Sequence, residues 1–188
     1  HGLFVIIALG ESLIVVGTTA THSESSGELL AVVIGAVAVA CLLWWTYFGW
    51  LKDALEHRFE HQPGANHGVF GRDVYSFIHF PLIGGVIGIA IGFEEMVLHP
   101  DHHLETEGLV ALVLGLSLFV GSGALAWFRA TGQLLLPRIG VLALLAVLLF
   151  VLSEAQPVTM LVVIAAAIAA IAVVEQLTDS SARVHAAS

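Results

Sequence analysis

The chain has 188 residues, of which 58% are hydrophobic and 11% charged, with a net charge of −9 and a mean hydropathy of +0.96. A soluble domain carries roughly 25% charged residues, so this composition makes the bilayer the solvent. The six Lys and Arg residues form no basic patch, which argues against nucleic acid as a partner, and the lone Cys41 can form no intramolecular disulfide and so fixes no redox compartment.

A helix that crosses roughly 30 Å of hydrocarbon needs about 20 apolar residues. Span 1 is read from Gly2 to Ala20, span 2 from Leu29 to Leu51, span 3 from Val74 to Leu98, span 4 from Leu109 to Phe128, span 5 from Ile139 to Leu152 and span 6 from Val158 to Leu177. The expected fold is therefore all-α, a polytopic transmembrane helical bundle of about six spans forming a single domain over residues 1–188. Span 5 is short, and only Ser153-Glu154-Ala155-Gln156-Pro157 separates it from span 6, which predicts a tight helical hairpin. The chain enters span 1 directly after His1, which reads as a fragment of a longer protein.

Every Lys and Arg falls in an alternate gap. Lys52, Arg58 and Arg72 lie between spans 2 and 3, Arg129 and Arg138 between spans 4 and 5, and Arg183 after span 6. By the positive-inside rule these gaps and both ends of the chain are cytoplasmic, and His99 to Glu107 is an outer loop. The tryptophans agree, because Trp44, Trp45, Trp50 and Trp127 all sit at the basic ends of their spans, where rings with a polar edge prefer the headgroup level.

Glu11 lies near the middle of span 1, where an ionised carboxylate costs about 2.5–3.5 kcal/mol on insertion scales. It shares a helical stripe with Ala8, Ser12, Val15, Thr19 and His22, which predicts a face turned into the bundle. Desolvation would favour a neutral, proton-exchanging acid there; a structural carboxyl bonded to a neighbouring helix is the competing account. In span 3, Arg72, Tyr75, Ser76, His79, Ile83, Val86, Ala90 and Glu94 trace one face, and Pro81 is expected to leave the carbonyl of Phe77 free and bend the helix beside His79. The candidate ion or proton pathway is thus Glu11, Ser12, Tyr75, His79 and Glu94. Glu95, beside it, is read as reaching headgroup water.

Gly84, Gly88 and Gly92 recur every fourth residue of span 3, with Gly85 alongside, and predict a packing face on which helix backbones approach closely. Ser117 and Gly121 in span 4, and Ala165, Ala166, Ala169 and Ala170 in span 6, offer similar small-residue faces. The loop His99-Pro100-Asp101-His102-His103-Leu104-Glu105 matches no strong zinc spacing and is read as acidic and solvated, so no metal, cofactor or catalytic residue is assigned. One echo, Leu9-Gly10-Glu11-Ser12-Leu13 against Leu114-Gly115-Leu116-Ser117-Leu118, is too short to establish an inverted repeat.

Gly2-Leu3-Phe4 through Leu9-Gly10-Glu11-Ser12, Trp44-Trp45-x-Tyr47-Phe48, and Tyr75-Ser76-x-x-His79-x-Pro81-Leu82 with Gly85 and Gly92-x-Glu94 occur in this order, and together they resemble the bacterial low temperature requirement A (LtrA) family, in its C-terminal portion. The resemblance is carried by the first half of the chain. It implies a multi-pass protein of the bacterial inner membrane, longer than this chain, with an N-terminal half as partner, and it links the protein to growth at low temperature by name only. It brings no substrate or reaction.

Two functions compete most closely. One is a proton- or cation-coupled transporter or channel using Glu11 and His79. The other is a structural or assembly subunit whose polar groups serve packing. A membrane-embedded enzyme acting on lipid is a weaker third, and a homo-oligomer is compatible with each.

Overall fold

The computed structural model describes residues 2–52, 55 and 78–186. Among them the chain forms six α-helices: α1 (Gly2–His22), α2 (Gly27–Thr46), α3 (His79–Leu98), α4 (Thr106–Thr131), α5 (Leu136–Val151) and α6 (Pro157–Ala186). A π-helical turn, Tyr47–Leu51, continues α2. Helix is the required choice for these sequences, because hydrocarbon offers no partner for a backbone N–H or C=O and a helix pairs its own.

The helices α1, α2, α3, α4 and the stretch Pro157–Gln176 of α6 are long and apolar enough to cross a membrane. α5 has 16 residues and rises about 24 Å, short of the ~30 Å hydrocarbon thickness. Its sequence carries the punctuation for that length: Gly132, at φ 72, caps α4 in the left-handed region that favours glycine, and Pro137 starts α5 where a missing N–H costs nothing. The expected hairpin follows, closed by a turn in which the Ala155 amide donates to the Leu152 carbonyl.

Several boundaries move. α2 begins at Gly27, capped by the Ser26 hydroxyl, which accepts from the Leu29 amide at 3.0 Å. α3 begins at His79, so the expected start of span 3 at Val74 lies outside the described residues. Within the described helix Pro81 sits in the first turn, where it displaces no intrahelical bond, and the Phe77 carbonyl expected to be freed lies outside the described residues.

The tightest contact in the bundle is between α3 and α4. A Cβ added to Gly85 would stand 2.6 Å from the Phe119 nitrogen and 2.7 Å from the Gly115 oxygen. One added to Gly88 would stand 2.7 Å from the Ala111 oxygen, and one added to Gly115 2.5 Å from the Ile89 nitrogen. These are backbone atoms, which cannot swing aside, so the two helices meet main chain to main chain. Gly92 completes the stripe against Leu112. Gly84 does not belong to it: a Cβ there meets nothing within 4 Å, and Gly121 of α4 is equally open. The packing face is Gly85, Gly88 and Gly92 against Gly115, one residue round the helix from the expected Gly84 edge. In α6 the expected alanines split, with Ala165 and Ala169 partly buried and Ala166 and Ala170 exposed.

The core is continuous from α1 to α6, with Phe93, Met96, Leu112, Leu116, Met160 and Ile164 among its most buried side chains. The two ends of the bundle are chemically opposite. The Ser23 hydroxyl lies 3.5 Å from the Val97 carbonyl and His103 lies 3.9 Å from Glu154, which brings the α1–α2, α3–α4 and α5–α6 loops to one acidic end. Gly2 abuts Phe48 and Lys52 at the other, basic end.

Gly88→Leu is expected to destabilise the bundle by about 1–3 kcal/mol, since it overpacks a contact made of backbone, whereas Gly84→Ala should leave stability unchanged or slightly raised. Thermal denaturation in detergent compares them; equal melting temperatures would remove the α3–α4 glycine contact from the account. If the basic end is cytoplasmic, a membrane-impermeant thiol reagent applied from outside should label His103→Cys and spare Gln133→Cys, both on a Cys41→Ala background.

Candidate functional site

Ionisable side chains inside membrane helices are functional candidates by default, and among the described residues three centres qualify. The first is Glu11. It stands at the tenth position of the 21-residue α1, at mid-span. The expected inward stripe is split by the structure: Val5, Leu9, Ser12 and Val16 are the buried residues of α1, and Glu11 is exposed. Ser12 and Glu11 are adjacent, so 100° separates them round the helix, and packing takes the hydroxyl in and leaves the carboxylate out. The exposed face also carries Ile7, Ile14, Thr18 and Thr21. Its hydroxyls are spent on their own helix, Thr18 donating to Ile14 and Val15 carbonyls and Thr21 to the Thr18 carbonyl. Ser12 likewise donates to the Leu9 carbonyl at 2.7 Å.

The second centre is His79, the first residue of α3. Its Nε2 lies 2.8 Å from the Tyr47 hydroxyl, and Tyr47 belongs to the π-helical turn after α2 and is buried. π-Helical turns recur at functional sites because the extra residue re-aims side chains. Tyr75, expected beside His79, lies outside the described residues. The Ser23–Val97 contact sets α1 and α3 parallel with His79 level with Val5, so Glu11 stands about 9 Å further along the axis and on the far side of α1. Glu94 is exposed at the acidic end of α3, more distant still. Of the residues expected to line one pathway, the four that are described, Glu11, Ser12, His79 and Glu94, are not brought together.

The third centre was not singled out from sequence. The Nε of Arg138, in the first turn of α5, lies 3.1 Å from Oε1 of Glu175, near the end of the membrane-crossing part of α6, with both side chains buried. None of Arg138 Nε, Arg138 Nη1 and Glu175 Oε1 makes a well-aligned hydrogen bond among the described residues, so the contact is an ion pair more than a bidentate fork. Gly123 of α4 makes the room, because a Cβ there would collide with Arg138 Nη1 and stand 2.9 Å from Leu51 of the π-helical turn. Four elements converge on this pair. The signal for it was present as Gly121-Ser122-Gly123 in α4 and a Glu in an otherwise apolar run, Ala172-Val173-Val174-Glu175.

At the acidic end, Glu95 is a capping carboxylate rather than a headgroup-seeking one. Its Oε1 accepts from the Glu105 amide at 2.5 Å, at the N-terminus of α4, where the exposed amides and helix dipole favour an anion. Gly108 is required beside it, since a Cβ would overlap the Glu95 carboxylate. Two open clefts lie at this end, one of about 550 Å³ lined by His22, Glu24, Glu28 and Asp101 and one of about 400 Å³ lined by His103, Glu105, Glu107 and Glu154. The Asp101 carboxyl is held below its ordinary range, chiefly by its contact with His102 at 3.0 Å. Among the described residues no three His, Cys, Asp or Glu side chains are grouped to hold a metal ion.

The family model described as "Bacterial low temperature requirement A protein (LtrA)" matches residues 1–174. An uncharacterized protein of Rhizobium meliloti (strain 1021) is 29% identical over 140 residues, which cover 72% of this chain and 32% of that protein. The chain thus spans about a third of the length of this relative. No solved structure matches.

Glu175→Gln is expected to destabilise by about 3–5 kcal/mol, because it leaves the Arg138 guanidinium buried without a counter-charge. The double replacement Arg138→Met with Glu175→Met should recover most of that loss. Equilibrium unfolding of the two variants and the parent decides it; a double variant as unstable as the single one would show that the ion pair is not what the site needs.

Proposed function

The chain belongs to the bacterial low temperature requirement A family and is an integral, multi-pass membrane protein, and from that premise we propose that it is part of a proton- or cation-coupled transporter or channel of the bacterial inner membrane in which Glu11 is the exchanging carboxylate. The observation that carries this reading is the placement of Glu11, at mid-span on a face of α1 with no hydrogen-bonding neighbour among the described residues. An ionisable group at that depth is costly to keep and is a functional candidate by default, and a cation is the ligand a carboxylate offers itself to. The stripe continues through Thr18 to His22, which lines the acidic cleft that opens outward, so an ion arriving at the acidic end meets oxygen and imidazole ligands before the carboxylate. The His79–Tyr47 pair is a second exchange station at the basic end, separate from Glu11.

A second reading, a packing or assembly subunit without flux, is favoured by the backbone contact of α3 with α4 and by the buried Arg138–Glu175 pair, both of which resist large rearrangement. Flux separates the two. Glu11→Gln preserves shape and touches nothing else, so it should fold as the parent does and abolish proton or cation flux in proteoliposomes, together with the pH dependence of that flux. A folded Glu11→Gln protein with undiminished flux would leave the packing account as the better one.

A further inference from the structure

Glu11 faces away from the helices that surround α1, and its position defines what should stand opposite it. Mid-span lies about 15 Å from either end of a 21-residue helix, beyond the reach of a glutamate side chain, so the carboxylate cannot be relieved by snorkelling to the interface. The described residues supply it no donor: the hydroxyls of Ser12, Thr18 and Thr21 are engaged with their own helix. They supply it no cation either, because Lys52, Arg129 and Arg138 lie toward the end opposite the acidic loops and none shares the depth of Glu11. Round the helix, Glu11 and Thr18 form one edge of the exposed face and Gly10 and Gly17 the other, with Ile14 between them. A Cβ at Gly10 or Gly17 would meet nothing within 4 Å, which leaves a shallow channel along α1 where another helix could approach closely.

We propose that this face of α1 docks a transmembrane helix, other than those described here, that presents a Lys or Arg at mid-membrane depth opposite Glu11. Charge complementarity selects this occupant over a second copy of the chain, whose α1 would bring a second carboxylate to the same depth and repel the first. Room for such helices exists in proteins of this kind, since the Rhizobium meliloti relative extends well beyond the stretch it shares with this chain. The inference concerns the carboxylate of the transport reading and names its partner; it does not require flux.

The test uses the protein labelled with a fluorescence donor at Thr21→Cys on a Cys41→Ala background, in lipid vesicles. The probes are acceptor-labelled poly-leucine helices of about 20 residues, with and without one central Lys. The Lys helix should associate at least fivefold more strongly than the all-leucine helix, and Glu11→Gln should abolish the difference. Equal association of the two helices with the parent protein, or a preference that survives Glu11→Gln, would overturn the proposal. So would Glu11-dependent energy transfer between copies of the protein itself, which would make the face a self-contact. A preference lost in Glu11→Gln with flux unchanged sinks transport and keeps docking; flux lost without any helix preference does the reverse.

Discussion

The approach of α3 to α4 through Gly85, Gly88 and Gly115 sets the frame from which every other position in the bundle is measured. Lipid tails are as apolar as leucine, so burial alone gives one membrane helix little reason to leave lipid for another. What remains is dispersion, which falls steeply with distance, and it becomes large only where backbones touch over several turns. Gly85 and Gly88 on α3 and Gly115 on α4 provide that contact, and Gly92 extends it against the Leu112 side chain. The crossing then fixes the acidic end, because it places the Glu95 carboxylate over the first turn of α4, where Gly108 leaves space for it. It fixes the other side as well: α1 lies along α3, and the acidic ends of the two helices meet at Ser23 and Val97.

The Arg138–Glu175 pair works by a different economy. Burying two charges costs several kcal/mol each before their attraction is counted, and replacement by apolar groups is often neutral or stabilising. Its effect lies in what it forbids. α5 buries few residues, namely Arg138, Leu145 and Leu149, and is too short to be held by length. Any arrangement that parts α5 from α6 leaves a guanidinium or a carboxylate alone in a low dielectric, a penalty far above that of exposing one leucine. Gly123 shows that α4 is shaped to the pair, so the charge contact and the helix surface are complementary.

Sequence carried the alternation of acidic and basic ends because charge is placed loop by loop and needs no knowledge of neighbours. The same local character explains the errors. Glycines at 84, 85, 88 and 92 satisfy a four-residue stripe on either edge, and only the position of Gly115 on another helix decides between Gly84 and Gly85. Glu11 and Ser12 looked like one polar stripe, and a rotation of 100° separated a buried hydroxyl from an exposed carboxylate. Pro81 reads as a kink only with a helix before it, and the described helix begins at His79. Arg138 and Glu175 were each unremarkable in place, a basic residue at a span end and an acid before another, and their meaning exists only across two helices.

These placements constrain where ions could travel. The buried face of α1 is closed by Val5, Leu9 and Val16, and the polar centres at the basic end are taken up with one another, Tyr47 with His79 and Arg138 with Glu175. Glu11 belongs to neither group. A path that used it would run along the outer face of α1, between this bundle and whatever packs against it, with Thr18 and His22 toward the acidic end. Such a path has one wall here and needs a second. In that arrangement a basic side chain on the second wall and a travelling cation compete for one carboxylate, so that binding of the ion loosens the helix contact and release restores it. Helix docking and ion exchange at Glu11 would then be one equilibrium, linked with equal coupling in both directions.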